Sequence, residues 1–335
     1  MTLNSTTRFA EHFSEQSLQE VVDLHLEEGV ARGVDGTSYE RFLLSRDEEV
    51  RLISRRVLSG TYKFSPYRQK LILKTAESPP RQVSIPTLRE RVALRALNNH
   101  LTAIFSDCRP QHAHPVISSV LTSVGTMRDD DCFVKLDIRS FYDTVDHTIL
   151  LRNIRKRIRT EYPLKLIKDA LKTPTGTSVA AQFRNEIGIP QGLSISNLLS
   201  SIYLRSIDDR FRSMAGLKYH RYVDDILCIT AASKAEHIAA ELIRRLSKEK
   251  KLVCHPLGSG KSIISAPSEN VTYLGYSISR EKTSVRTTTE KKLMSSIMEI
   301  IFGTRVEDWE RALWRINLRR GIAFGTEGVN VRSCL

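Results

Sequence analysis

Three carboxylates in this chain stand in settings that ask for a counter-charge or a cation. Asp224 and Asp225 are adjacent, between the β-prone runs 218–223 and 226–230. That pattern predicts a hairpin with both carboxylates at its tip. Neighbours on a regular strand point to opposite faces, but at a turn both can be aimed near one point. The third, Asp137, ends the apolar run Cys132-Phe133-Val134-Lys135-Leu136-Asp137-Ile138. An aspartate closing a buried strand is expensive unless it is paired or bound to metal. Crowded carboxylates repel, and a divalent cation relieves the repulsion. The blander reading of an Asp-Asp pair is a solvated turn. Asp137 precedes Asp224 by 87 residues, so only a tertiary fold could unite the three.

The elements that must position these groups are legible as patterns. Ser17-x-x-Glu20 reads as a capping box opening a helix that runs to about Glu28. The alternating runs 69–74 and 81–86 read as an antiparallel hairpin carrying Lys70, Lys74 and Arg81. A helix follows to about Ile104. From Leu151 to Lys172 eight basic residues stand against two acidic ones. Apolar residues at near-helical spacing make two helices of this stretch, with Pro163 as the break. Ala235 to Lys251 reads as an amphipathic helix. Thr287-x-x-Glu290 and Thr304-x-x-Glu307 cap two more, the second striped by Val306, Trp309, Leu313 and Ile316.

Several tempting sites weaken on inspection. Asp129-Asp130-Asp131 precedes a strand and reads as a solvated turn. Asp208-Asp209 lies on a predicted helix, where neighbours diverge by about 100°, so a solvated face is expected. Cys108, His112 and His114 lack the second half of a four-ligand zinc site. Gly260-Lys261-Ser262 would complete a phosphate-binding P-loop only with glycine at 255, where the chain has His255.

Motifs in order give these residues a context. Tyr222-Val223-Asp224-Asp225 resembles the Tyr-x-Asp-Asp box of reverse transcriptases. Asp137-Ile138 through Phe141-Tyr142-Asp143 to His147 resembles their first palm motif. Pro190-Gln191-Gly192, followed by Ser194 and a helix, resembles the second. Lys261-Ser262 resembles the box beyond the Asp-Asp hairpin, and Tyr273-Leu274-Gly275-Tyr276 resembles the one that holds the primer terminus. Gly33-Val34-Asp35-Gly36 resembles an element near the start of group II intron and related bacterial enzymes. The resemblance covers about residues 33–280.

Departures narrow it. Glu90-Arg91 stands where Asp-Arg is usual. Ser196-Asn197 stands where most have Ser-Pro, a change associated with the abortive-infection and defence-associated branch. The Asn-Ala-x-x-His and Val-Thr-Gly elements of retron enzymes are not found.

The resemblance implies an α+β right-hand polymerase fold, with an antiparallel palm sheet, fingers and a short helical thumb. Residues 1–118 would form an N-terminal helix and fingers. Residues 119–278 would form the palm, with a basic helical insertion at 151–185, and residues 279–335 the thumb. It also implies RNA-directed DNA synthesis from dNTPs. Two Mg²⁺ ions, or Mn²⁺ in their place, would be held at Asp137, Ile138, Asp224 and Asp225. Lys70, Arg81, Gln191 and Lys261 would meet the nucleotide, and Tyr142 would exclude a 2′-hydroxyl by its volume. Gly192, Tyr222, Leu274 and Gly275 would meet nucleic acid. Arg152, Arg155, Lys156, Arg157 and Arg159 read as a phosphate track.

Composition agrees with such a partner. The 335 residues carry a net charge of +13, are 41% hydrophobic and 27% charged, and include five cysteines, read as reduced structural thiols. No apolar run approaches the ~20 residues of a membrane span, and the first residues do not resemble a signal peptide. A cytoplasmic enzyme is expected. Its partners would be an RNA template, most simply a dedicated noncoding RNA, its DNA product, and a partner protein or second copy of the chain. The chain leaves no room after the thumb for the nuclease or maturase domains of mobile elements, so a role in phage defence is expected. Two alternatives share the motifs: untemplated or protein-primed synthesis on the same palm, and a catalytically dead RNA-binding scaffold. The retention of all three carboxylates counts against the last.

Overall fold

A computed structural model describes residues 5–73, 80–176 and 185–303, and the isolated positions 313 and 316. In chain order, helices α1 (Ser5–His12), α2 (Glu15–His25), α3 (Tyr39–Leu44) and α4 (Arg46–Leu58) precede strands β1 (Arg68–Ile72) and β2 (Arg81–Ile85). Helices α5 (Leu88–Ile104) and α6 (Ala113–Val124) lead to strand β3 (Asp131–Asp137). Next come α7 (Phe141–Thr144), α8 (His147–Arg155), α9 (Glu161–Lys172) and α10 (Ser196–Arg212). Strands β4 (Lys218–Tyr222) and β5 (Asp225–Ala231) are followed by α11 (Ala232–Lys250). Short strands β6 (Ile263–Ser265), β7 (Val271–Tyr273), β8 (Tyr276–Ile278) and β9 (Thr283–Val285) lead to α12 (Thr287–Gly303). The mixture of helices with purely antiparallel sheets is the expected α+β class.

Two compact units divide the chain. The first comprises residues 1–110, 138–209 and 243–253. Its core forms where α2 packs on α4 and α5, through Leu18, Val21 and Val22 on α2 and Val92, Leu94 and Leu97 on α5. Helix α5 starts with a true capping box. Thr87 Oγ1 accepts the Glu90 N–H, and the Glu90 carboxylate accepts the Thr87 N–H. Glu90 also accepts from the Ser65 backbone and is only 2% exposed. Burial raises its carboxyl, and the backbone donors oppose that rise. The acid that departs from the usual Asp-Arg therefore completes the capping box of α5 from its third position.

The β1–β2 hairpin pairs antiparallel in the register Lys70↔Val83. Strand β1 is exposed throughout, while Ser84 and Ile85 of β2 are buried. The hairpin is tied to its unit at its base. The Ser84 N–H donates to Gln191 O at 2.7 Å, and the Tyr67 N–H donates to Pro174 O at 2.8 Å. Lys74 lies outside the described residues.

The second unit comprises residues 111–137, 210–242 and 254–335. Its main sheet has the order β4-β5-β3-β6. Val116, Ile117, Val120 and Val124 of α6 join Phe133, Leu227 and Ile229 of the sheet and Val271, Tyr273 and Ile278 in one core. The period-2 pattern of strands puts Phe133, Lys135 and Asp137 on one face of β3, opposite Ile229, Leu227 and Asp225 of β5. A smaller sheet, β7-β8-β9, adjoins α12.

Several local expectations shift. The cap of α2 is Ser14, whose Oγ accepts the Ser17 N–H at 3.2 Å. Glu15 then complements the helix dipole in the first turn, and the helix ends at His25 because Leu26 is extended. Pro163 does not separate α8 from α9. It occupies the first turn of α9, where a missing N–H costs nothing. Arg286, not Thr287, caps α12, since its carbonyl accepts from Thr289 and Glu290. The box at Thr304 and the stripe beginning at Val306 and Trp309 lie outside the described residues, as does Cys334. Asp208 is buried at 4% exposure rather than solvated, while Asp209 pairs with Arg205. Four cysteines are buried and free. Among the described residues no helix is long and apolar enough to cross a membrane.

Candidate active site

The three candidate carboxylates lie in the second unit. Asp137 and Asp225 are direct cross-strand partners, and Tyr222 pairs with Asp225 across the β4–β5 hairpin. The turn is made by Val223 and Asp224, so Asp225 opens β5 rather than sharing the tip. Val223 adopts φ 56°, a left-handed conformation rare for a β-branched residue. Such strain is typical of a turn whose shape serves something beyond stability.

Like charges directly opposite each other across two strands destabilise a sheet. Here two basic groups answer them. Lys135 Nζ lies 3.7 Å from Asp225 Oδ1, and His255 Nε2 lies 3.5 Å from Asp137 Oδ1. Asp225 Oδ1 is nevertheless buried without a hydrogen-bond partner among the described residues. Burial pushes the Asp225 carboxyl up to about 7, held down in part by Lys135 and raised further by Asp137 and Asp224.

Ser262 and His255 brace Asp137 from the chain beyond the hairpin. The Asp137 N–H donates to Ser262 Oγ at 3.1 Å, and its carbonyl accepts the His255 N–H at 2.9 Å. Lys261 is exposed, with Nζ 3.3 Å from His255 Nε2. The sequence pointed to Lys261; the bracing by Ser262 and His255 was missed, although both lay in the stretch rejected as a P-loop. Tyr273 is buried and donates to the Asp225 carbonyl at 3.4 Å. Leu274 and Gly275 form the β7–β8 turn at φ 47° and 88°, the mirror-type turn that suits a two-residue hairpin. The Gly275 carbonyl accepts the Arg286 N–H at 3.0 Å.

The donor set fits a hard divalent cation. It offers oxygen ligands, one of them buried and unsatisfied. Among the described residues no three acidic, His or Cys side chains already converge as a cluster. Asp225 and Asp137 are turned instead towards Lys135 and His255.

The other candidate residues lie in the first unit. A cavity of about 480 Å³ is lined by Arg81, Tyr142, Gln191, Gly192 and Asn197, with Arg91 and Arg95 among its further walls. Arg81 Nε donates to Gln191 Oε1. Gln191 Nε2 donates to Asp143 Oδ1 at 3.4 Å. The Tyr142 hydroxyl donates to Asn197 Oδ1 at 2.7 Å, and the Tyr142 carbonyl accepts the Ile189 N–H. Lys70 is exposed on β1, and Ile138 is buried directly after Asp137.

Gly192 has φ 103°, and a Cβ there would meet Val83 Cγ1 at 2.8 Å and Ser84 O at 2.9 Å. The glycine is therefore required first by the close approach of β2, a reason its motif does not reveal.

In the basic stretch, Arg152, Arg155, Lys156 and Arg159 are exposed. Arg157 is committed elsewhere: it forks onto Asp107, donates to Ile104 O at 2.9 Å and covers the Phe105 ring. Pairing with Arg157 holds the Asp107 carboxyl below its ordinary value.

The profile of the reverse transcriptase (RNA-dependent DNA polymerase) family matches residues 72–278, more than half of the chain. The chain belongs to that family. RNA-directed DNA polymerase is the activity class that membership carries. Protein YkfC of Escherichia coli K12 is 26% identical over 88% of this chain and 87% of its own length. The group II intron-encoded protein LtrA of Lactococcus lactis subsp. cremoris is 28% identical over 63% of this chain, which spans 34% of LtrA. Among solved structures, apo telomerase from Candida tropicalis superposes with a TM-score of 0.55 at 12% identity, covering 94% of this chain and 62% of the telomerase. Telomerase from Candida albicans, in complex with a fragment of telomeric RNA, gives 0.52 at 12% identity, over 84% of this chain and 58% of that one. At such identity the likeness concerns the fold alone, which is the right-hand polymerase fold.

Proposed function

We propose that the protein extends a primer with dNTPs by RNA-templated phosphoryl transfer. The observation that carries the reading is the cross-strand pairing of Asp137 with Asp225, beside Asp224, on a strained hairpin. Two Mg²⁺ ions, or Mn²⁺, bound there would lower the pKa of the primer hydroxyl and stabilise charge in the displacement of pyrophosphate. Asp137, Asp224 and Asp225 would hold them, with the backbone of Ile138. Ser262 and His255 fix the backbone that carries Asp137. Lys135 balances Asp225 until a cation does so.

The nucleotide roles follow from chemistry. Arg81, Lys70 and Lys261 are cations suited to a triphosphate. Gln191, oriented between Arg81 and Asp143, would sit by the nascent base pair. Tyr142, lining the cavity, would close off space for a 2′-hydroxyl. Tyr222, Leu274, Gly275 and Gly192 are assigned to primer and template, and Arg152, Arg155, Lys156 and Arg159 to a phosphate track. We assign 1–118 to an N-terminal helix and fingers, 119–278 to the palm with its basic helical insertion at 151–185, and 279–335 to the thumb.

The biological setting we favour is cytoplasmic phage defence with a dedicated noncoding RNA. Its support is the Ser196-Asn197 departure together with bacterial relatives such as YkfC.

The test is primer extension on an RNA template with dNTPs and Mg²⁺. Asp224→Asn with Asp225→Asn should abolish incorporation while the protein stays folded, because each change removes a charge the cations need. Incorporation at the wild-type rate by the double variant would remove the assignment.

A further inference from the structure

Asn197 stands where a proline would leave no side-chain acceptor, and it accepts from the hydroxyl of Tyr142 in the cavity that is assigned to sugar choice. The Tyr142 O–H donates to Asn197 Oδ1 at 2.7 Å, the usual length of a well-formed O–H···O bond. Asn197 lies in the first turn of α10, and Tyr142 lies on the short helix α7. The bond therefore ties two elements that are 55 residues apart in sequence.

Further contacts hold the residue that carries this ring. Its backbone is pinned, since its carbonyl accepts the Ile189 N–H at 2.6 Å. Its ring meets Phe141 in a tilted contact at 5.6 Å between centroids. The residue lines the cavity. A tyrosine ring turns about two side-chain torsions, and a hydrogen bond at the far end of the ring restrains both. A barrier made of volume discriminates only as well as its position is fixed.

We propose that Asn197 is a positioning residue for sugar selection: its carboxamide oxygen holds the Tyr142 ring in the orientation that rejects a ribonucleotide. The proposal rests on the reading of Tyr142 as the sugar barrier. It goes further in making discrimination a property of a hydrogen-bonded pair rather than of ring volume alone. Tyr142→Phe, which keeps the volume, should then lose selectivity.

The experiment is a double-mutant cycle read as the ratio of kcat/KM for a dNTP to that for the matching rNTP. Tyr142→Phe and Asn197→Ala should each lower the ratio by about two- to tenfold, the range of one neutral hydrogen bond. The double variant should be no worse than either single one, since both remove the same bond. Asn197→Asp keeps an acceptor for the tyrosine hydroxyl. It should retain most of the selectivity, because its added charge weakens both nucleotides alike and cancels in the ratio. Melting temperatures measured alongside separate folding from selection.

Additive losses in the double variant would overturn the proposal, as would equal losses in Asn197→Asp and Asn197→Ala. Tyr142→Ala is the control for the underlying reading. If it collapses discrimination while Asn197→Ala leaves the ratio at the wild-type value, the pair is refuted and the barrier stands. If Tyr142→Ala itself leaves the ratio unchanged, the barrier reading falls, and the pair with it.

Discussion

Replacing Asp225 with asparagine should make the metal-free protein more stable, although it removes a carboxylate assigned to catalysis. The folded protein holds this carboxyl at about 7, where the ordinary value is 3.8. Between those values the folded state keeps a proton that the unfolded chain has lost. Stability therefore falls as pH rises through that window and stays low above it. At about 1.4 kcal/mol for each unit of pH, ionised Asp225 opposes folding by up to about 4 kcal/mol near pH 8. Asparagine keeps the shape without the charge. The attraction of the Lys135 ammonium, 3.7 Å away, is already contained in that value, because it holds the carboxyl down. A stabilisation of up to about 4 kcal/mol near pH 8 is the expected outcome. The gap should shrink as pH falls towards about 4 and close below it, where wild-type Asp225 becomes neutral in both states. Urea unfolding of both proteins in EDTA across this range measures it. Adding Mg²⁺ should stabilise the wild type more than the variant, because the ion binds the folded carboxylates. If Lys135 and Asp225 instead formed a well-compensated buried pair, breaking it would cost about 3–5 kcal/mol. A variant less stable than wild type at pH 8, or a gap that does not change with pH, would refute the charge assignment.

Three further outcomes are expected. Changing Arg152, Arg155 and Arg159 to Gln should flatten the salt dependence of RNA affinity by about 0.7 to 0.9 in log–log slope per contact, with the melting temperature nearly unchanged. Parallel lines would place the nucleic acid elsewhere. Arg157→Gln should do the reverse, lowering stability by about 1–3 kcal/mol in urea titrations with little effect on the slope, because its guanidinium is held by Asp107 and Ile104. Gly192→Ala should destabilise by about 1–3 kcal/mol, since the added methyl meets Val83 and Ser84 and φ is 103°; an unchanged unfolding midpoint would show that β2 yields.

What the sequence disclosed was chiefly what depends on local pattern. Both hairpins, 68–85 and 218–231, follow from alternation and turn residues. Asp137 was conspicuous because a carboxylate at the end of an apolar run demands a reason. The features that stayed hidden are contacts between distant residues. Arg157 looks like one more base in a basic stretch until Asp107, 50 residues earlier, takes its guanidinium. Asp208 reads as surface by its neighbours, and only tertiary packing buries it. Gly192 invites an explanation in terms of a ligand, whereas the backbone of β2 already forbids a side chain there. The cap at Ser14 was misplaced by three residues because Ser14 and Ser17 are equally good candidates in sequence.

The chain passes between its two compact units five times, at 110/111, 137/138, 209/210, 242/243 and 253/254. No single cut separates them. A recombination breakpoint anywhere between residues 110 and 254 would leave at least one unit with part of its core encoded on the other fragment. The unit with the carboxylates cannot be cloned as one continuous piece. Exchanging it for another would take several splices at once, so one unit is altered alone most directly by substitution in place or by insertion at its loops.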